Sequence, residues 1–440
     1  MADLSVNICG IESPNPFWLA SAPPTNTGDQ VARAFDAGWG GAVWKTLGDE
    51  DENPIENVYS RYSSIDLNGQ RMAGLNNIEL ITDRSLEMNL IEIAEVKRRY
   101  PDNVVVVSLM VDSNAEAWDS IIKQVEQAGA DAIELNFGCP HGMSERGMGA
   151  AVGQVPEYTC DITGWAKASA TVPVFVKLTP NITDIRVAAR AAKNGGADAV
   201  SLINTINSIT GVDLDSFTPR PVVGNQSSHG GYCGPAVKPI ALNMVASIAA
   251  DPFTQDLPIS GIGGIATWED VAEYILLGAT TIQVCTAVMH YGYRIVEDMT
   301  EGLSNYLDSK GMSSVNELRG LSVNKVTDWQ SLDINYVVKA TIDQDKCIHC
   351  GLCYIACQDG AHQAIGTKRT DDDKTDVWII DDLCVGCNLC SLVCPVQDCI
   401  TMEEREFGQT HMSWNDLMGE DPPGDLFPRP KHGLTIGPES

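Results

Sequence analysis

Two stretches of this chain, CIHCGLCYIAC and CVGCNLCSLVCP, repeat one spacing of cysteines, C-x₂-C-x₂-C-x₃-C. They begin 37 residues apart, at Cys347 and Cys384. Three thiolates so spaced wrap three corners of an iron–sulfur cube, while the fourth is carried away by a helical turn and reaches a second cube. The spacing assigns Cys347, Cys350, Cys353 and Cys394 to one [4Fe–4S] cluster, and Cys384, Cys387, Cys390 and Cys357 to the other. Zinc is the alternative, but zinc sites use two cysteine pairs with a longer gap. Cys399 lies outside the pattern and reads as a buried thiol.

Nine of the 14 cysteines fall between Cys347 and Cys399. That distribution points to metal in a reducing compartment, the cytoplasm, and not to the disulfides of a secreted protein. The formal charge of −30 argues against nucleic-acid or anionic-membrane partners, which need a basic surface. The start, MADLSVNICGIESPNPFWLA, has neither a basic n-region nor a sustained apolar core, so no signal peptide is expected. No apolar run reaches the length of a membrane span.

From residue 16 to about 290, short runs rich in Val and Ile alternate with amphipathic stretches. The strand candidates are Pro16–Ala22, Gly41–Thr46, Asn103–Met110, Asp131–Gly138, Val172–Thr179, Ala199–Thr205, Leu257–Gly264 and Thr281–Ala287. They lack strict alternation, as parallel strands covered on both faces do. Helical patterns span Ala115–Ala128, Ile182–Asn194, Val237–Ala250 and Trp268–Leu277. Several end at glycine, a C-cap signal. Eight strands with crossovers predict a (β/α)₈ TIM barrel. An open doubly wound sheet is the alternative, weakened because no GxGxxG follows the first strand. The expected organisation is a catalytic barrel over 1–318, a connector over 319–339, a small α+β ferredoxin-like domain with two clusters over 340–402, and a Pro/Gly-rich tail over 403–440.

In such a barrel, polar residues at strand C-terminal ends build the active site. Ser21, Lys45, Asn136, Lys177, Asn204 and Thr205 stand there. Two clusters form a wire for single electrons, and a flavin would connect that wire to two-electron organic chemistry. The glycines of ISGIGGI (259–265) and the end of QVCTAV (283–288) suit the phosphate of FMN; alone, GIGG is equally a tight turn. Lys177 closes an apolar strand. It is either a snorkelling lysine or a fixed charge beside the flavin pyrimidine ring, stabilising the anionic reduced form. Asn77, Asn136, Asn204 and Thr205 offer uncharged donors and acceptors, a match for a neutral planar ring bearing amides.

The segments NPFWLASAPPT, AGWGGAVWKT, NIEL, NFGCPHGMSERGMG, VKLTPNITDI, LINTINSITG, GGYCGPAVKPIAL, SGIGGI and QVCTAV, with the cysteine repeat, resemble the dihydroorotate dehydrogenase-like flavoproteins. Within them the chain looks like the pyrimidine-reducing part of dihydropyrimidine dehydrogenases, and like the FMN and iron–sulfur catalytic subunit of the bacterial, two-chain form. The resemblance implies FMN contacts at Ala20, Ser21, Lys45, Thr46, Lys177, Gly234, Gly263, Gly264, Cys285 and Thr286. It implies substrate contacts at Asn77, Asn136, Phe137, Gly138, Asn204 and Thr205. It makes Cys139 the general acid and 141–149 a mobile loop. Some relatives carry serine where this chain has Gly138, which puts one substrate hydrogen bond in question.

The activity so implied is reversible reduction of the C5–C6 double bond of uracil or thymine, in pyrimidine catabolism. Hydride would pass from FMN N5 to C6 and a proton from the Cys139 thiol to C5. A thiol with its ordinary pKa near 8.5 is mostly protonated at neutral pH, as an acid must be. The chain has no NAD-binding fingerprint, so electrons from NAD(P)H are expected through a partner flavoprotein subunit. Two competing readings stay open: a dihydroorotate dehydrogenase, whose substrate carries a carboxylate, and an electron-transfer subunit with an inert barrel.

Overall fold

The computed structural model describes residues 2–49, 56–67, 71–370, 374–405 and 407–418. The chain divides into two compact units, Met1–Val326 and Thr327–Ser440.

In the first unit the eight apolar runs become eight parallel strands closed into a barrel. They are Phe17–Leu19, Gly41–Leu47, Val104–Leu109, Ala132–Asn136, Val174–Lys177, Ala199–Leu202, Ile259–Ile262 and Thr281–Val284. Every residue in them is buried, which is why the runs lack polar alternation. The TIM barrel and a cysteine-rich second unit are thus as expected. Helices Gly28–Ala37, Leu86–Arg99, Ala115–Gln127, Pro156–Ser169, Ile185–Asn194, Lys238–Ala250, Trp268–Leu276 and Ile295–Ser309 complete the crossovers. Side chains of Thr27, Ser85, Asn114 and Asp184 accept backbone N–H groups at four of the helix starts.

Two additions close the barrel's ends. A hairpin, Val6–Ile8 with Ile11–Ser13, precedes the first strand. Its Ile8 packs with Trp18, Val43, Val104, Phe175 and Ala199, which fill the N-terminal end. At the other end lies a four-stranded antiparallel sheet of Ile206–Ser208, Gly230–Cys233, Arg71–Asn77 and Tyr62–Leu67. These strands leave the chain after the second and sixth barrel strands, so they arise at the C-terminal mouth, where barrel enzymes place their sites.

The barrel's upper interior is polar where Val, Ile and Leu usually dominate. Buried Thr46, Ser108, Glu134, Asn136, Lys177, Ser201, Ser260, Thr281 and Gln283 occupy its strands.

In the second unit, Val337–Ile342 pairs antiparallel with Ile400–Arg405, and Ile365–Arg369 with Thr375–Ile379. Two helices, Leu352–Gly360 and Leu389–Leu392, begin within the two cysteine runs and carry Cys353, Cys357 and Cys390. Of the tail expected over 403–440, a short helix, Trp414–Met418, is seen, and 419–440 lie outside the described residues. Among the described residues no helix is long and apolar enough to cross a membrane.

Candidate active site

A cavity of about 780 Å³ opens at the C-terminal mouth, within the size range of small-molecule and cofactor pockets. All ten residues expected to touch FMN line it, as do Asn77, Asn136, Asn204, Thr205 and Cys139. Phe137 and Gly138 do not. Phe137 lies buried beneath, edge-on to Trp118 with ring centroids 6.3 Å apart. A Cβ on Gly138 would stand 2.4 Å from the Asn204 Cβ. The glycine therefore lets Asn204 lie flat against the strand end, and a serine here requires Asn204 to shift.

A line of hydrogen bonds crosses the mouth. Ser21 Oγ and Thr46 Oγ1 are 3.0 Å apart. Asn136 Nδ2 donates to Thr46 Oγ1 (2.9 Å), and Asn204 Nδ2 donates to Asn136 Oδ1 (2.8 Å). Asn204 Oδ1 accepts from the Thr205 backbone N–H at 2.8 Å. Asn77 Nδ2 donates to the Gly231 carbonyl at 3.1 Å. Each amide is thereby fixed in orientation, and the set presents neutral donors and acceptors from several strands.

Two lysines reach the cavity, and each has a carboxylate partner. Lys45 Nζ lies 2.6 Å from Glu79 Oε1. Glu79 also pairs with Arg61 at 3.1 Å and accepts a short hydrogen bond from the Tyr62 hydroxyl. Lys177 Nζ lies 3.6 Å from Glu134 Oε1. Glu79 lines the cavity, and sequence reasoning passed over it, although its motif NIEL was singled out. The hairpin that brings Arg61 and Tyr62 to it was the missing signal.

Cys139 follows the fourth barrel strand and is buried with Ile81, Met110, Met143 and Met148. Burial pushes its thiol up to about 11, since a thiolate loses solvation there. The following residues, Gly142–Arg146, form a 3₁₀ turn, and the Ala150 N–H returns to the Cys139 carbonyl at 3.0 Å. Gly149 makes that return possible: its φ is +56° and a Cβ would meet the Cys139 carbonyl at 2.9 Å. His141 Nε2 sits 3.0 Å from the Glu79 carbonyl, and burial lowers its pKa.

Gly263 and Gly264 form a cradle whose shape would fit the phosphate of a flavin. Gly263 and Gly264 have φ of +131° and +72°, and a Cβ on Gly264 would meet Lys238 Cβ at 2.8 Å and the Gly234 carbonyl at 2.9 Å. Only glycine permits this packing, which sets the loop against the start of helix Lys238–Ala250, a place where anion sites are built. Cys285 and Cys233 add half-buried thiols on this side, and desolvation raises both, Cys233 to about 11.

The cysteine runs are brought together across one another. Cys347, Cys350, Cys353 and Cys394 surround one cavity. Cys357, Cys384, Cys387 and Cys390 surround another. Four thiols around each cavity are the donor set that a [4Fe–4S] cube would take. The repeat extends to the backbone: His349 and Gly386, then Gly351 and Asn388, share positive φ at matching places. Backbone N–H groups of His349 and Ala364 point at the sulfurs of Cys347 (3.4 Å) and Cys357 (3.2 Å), as cluster ligands receive. Cys399, read as a buried thiol, is buried and lines the first quartet's cavity.

The family description "Dihydroorotate dehydrogenase" matches residues 3–307, and "4Fe-4S dicluster domain" matches 340–402. The chain is 46% identical over 363 residues to the NAD-dependent dihydropyrimidine dehydrogenase subunit PreA of Escherichia coli (strain K12), covering 82% of this chain and 87% of that one. It is 42% identical over 358 residues to the chloroplastic dihydropyrimidine dehydrogenase (NADP(+)) of Arabidopsis thaliana, covering 80% and 83%. It is 38% identical over 320 residues to the catalytic subunit of dihydroorotate dehydrogenase B (NAD(+)) of Pyrococcus abyssi, covering 73% and 99%.

Proposed function

The chain belongs to the dihydroorotate dehydrogenase family, and from that premise we propose that this oxidoreductase reduces the C5–C6 double bond of uracil or thymine, reversibly, using FMN and two [4Fe–4S] clusters. The supporting observation is the pairing of Lys45 with Glu79 at the cavity wall (2.6 Å), beside uncharged Asn77, Asn136, Asn204 and Thr205. A substrate there meets amides, not a free cation. Lys45 and Arg61 are both committed to Glu79, so neither is free to hold a ring carboxylate, whereas a neutral diamide ring needs no cation.

When bound in the cavity and at the two cysteine quartets, FMN and the clusters would supply hydride and single-electron chemistry respectively. The chain's own residues do the rest. Asn77, Asn136, Asn204 and Thr205 hold the ring by its carbonyl and N–H edges. Lys45, Thr46 and Lys177 border the flavin. Cys139 Sγ holds the proton that goes to C5, and its high pKa keeps it protonated until it is needed. The 141–149 loop shields this thiol from water and opens for exchange of substrate and product. NAD(P)H is oxidised by a partner flavoprotein subunit, which passes its electrons to the cluster unit, and the pair works in the cytoplasm.

The identity to a dihydroorotate dehydrogenase catalytic subunit favours a second reading, with dihydroorotate as substrate. One experiment separates them. Anaerobically reduced holoprotein is mixed with uracil, thymine or orotate, and flavin absorbance is followed. Reoxidation by uracil or thymine, lost in Cys139→Ala with FMN and iron retained, is expected. Reoxidation by orotate alone would overturn the proposal.

A further inference from the structure

One charged group near the site has no part in the chemistry above. Glu134 lies on the fourth barrel strand, Ala132–Asn136, and is 0% exposed. Asn136, two residues on and on the same face of that strand, lines the cavity, so Glu134 sits one layer beneath the mouth. Its Oε2 accepts from Ser201 Oγ at 2.7 Å and, more weakly, from Gln283 Nε2 at 3.4 Å. Among the described residues its Oε1 accepts no hydrogen bond and has only Lys177 Nζ, at 3.6 Å.

A buried carboxylate with an oxygen left without a hydrogen bond is costly, and most barrels fill this layer with hydrocarbon. Structure alone does not call for it, because an amide or a leucine would fill the same space. Lys177 Nζ donates no hydrogen bond among the described residues and borders the cavity. An ammonium in that place, unopposed, draws negative charge onto the flavin and stabilises its reduced anion. A reduced cofactor held too firmly is a poor hydride donor.

We propose that Glu134 is a positioning residue that counters the Lys177 charge from beneath, keeping the bound flavin's reduction potential low enough to drive hydride onto a pyrimidine. The inference rests on the flavin reading of the cavity. Removal of the carboxylate charge leaves the neighbourhood of the ring more positive. The reduced state is then favoured, donation to uracil slows, and oxidation of dihydrouracil quickens.

Sulfite reports this field directly, because it adds to an oxidised flavin and leaves the ring anionic. Holoprotein is compared with Glu134→Gln, Glu134→Asp, Lys177→Gln and the Glu134→Gln/Lys177→Gln pair, each first assayed for FMN content. Glu134→Gln should bind sulfite at least tenfold tighter and raise the two-electron midpoint by about 30 mV for each tenfold. Glu134→Asp, which keeps the charge, should stay within threefold of the parent. Should Glu134→Gln not hold FMN, the double variant decides: it should bind sulfite at least tenfold tighter than Lys177→Gln alone. Sulfite affinity unchanged or weakened in Glu134→Gln with FMN bound, or equal in the double variant and Lys177→Gln, overturns the proposal. A parent chain devoid of FMN removes the flavin reading, and this inference with it.

Discussion

Raising the pH from 7 to 10 should accelerate dihydropyrimidine oxidation about a thousandfold, the ratio of thiolate populations worked out below, while pyrimidine reduction stays flat to about pH 9, below the range where the pyrimidine N–H itself ionises. The two directions use opposite forms of Cys139: reduction needs the thiol as acid, oxidation needs the thiolate as base. Burial places the pKa at about 11. Roughly one Cys139 in 10⁴ is then a thiolate at pH 7, and roughly one in ten at pH 10. An unburied thiol with pKa near 8.5 is already about 3% ionised at pH 7, so its curve would gain only about thirtyfold and flatten above pH 9. His141, whose pKa burial lowers from its ordinary value near 6.5, is neutral across this window and adds no inflection. Anaerobic single-turnover stopped flow isolates the chemical step, with flavin reoxidation by uracil in one direction and flavin reduction by dihydrouracil in the other. A reverse rate that levels off by pH 9, or a forward rate halved near pH 8.5, would refute a buried Cys139 as the proton donor.

Two further outcomes follow from the geometry. Cys347→Ala and Cys394→Ala should each lose the same cluster, and the double variant should lose no more iron than either alone; Cys347→Ala/Cys357→Ala should lose both clusters, read by iron content and electron paramagnetic resonance. Gly264→Ala adds about 1–2 kcal/mol of left-handed backbone strain and a Cβ 2.8 Å from Lys238 Cβ. FMN titration of the apoprotein should show at least tenfold weaker binding, and an unchanged affinity would place the phosphate elsewhere.

The barrel was legible because its strands are covered on both faces. Runs such as Val104–Leu109 and Val174–Lys177 are apolar except for Ser108 and Lys177 near their C-terminal ends, and the structure trims the expected Asn103–Met110 and Val172–Thr179 by one or two residues at each end. The glycines after the helices were legible too: Gly129, Gly196 and Gly278 all have positive φ. The antiparallel sheet over the mouth was not. Tyr62–Leu67 reads YSSIDL, too polar for a core strand, and Gly230–Cys233 meets Arg71–Asn77 across more than 150 residues of sequence. Glu79 went unnoticed for the same reason, because Arg61 and Tyr62 come to it only through that hairpin. Glu134 was hidden differently: in IELN it looks like one polar residue in a buried run, and only barrel closure sets Ser201 and Lys177 against it.

The crossed cysteine quartets bear on how the second unit comes into being. Among the described residues its core holds nine buried side chains, four of them cysteines, too few apolar groups to hold a fold by hydrocarbon alone. Each cage takes its last thiol from the far run, so neither can close until both runs have met. With a cube in each quartet, as proposed, iron insertion and chain folding would be coupled, and loss of one cube would cut one of the two cross-ties between the runs and interrupt the electron path while the other cube stayed in place.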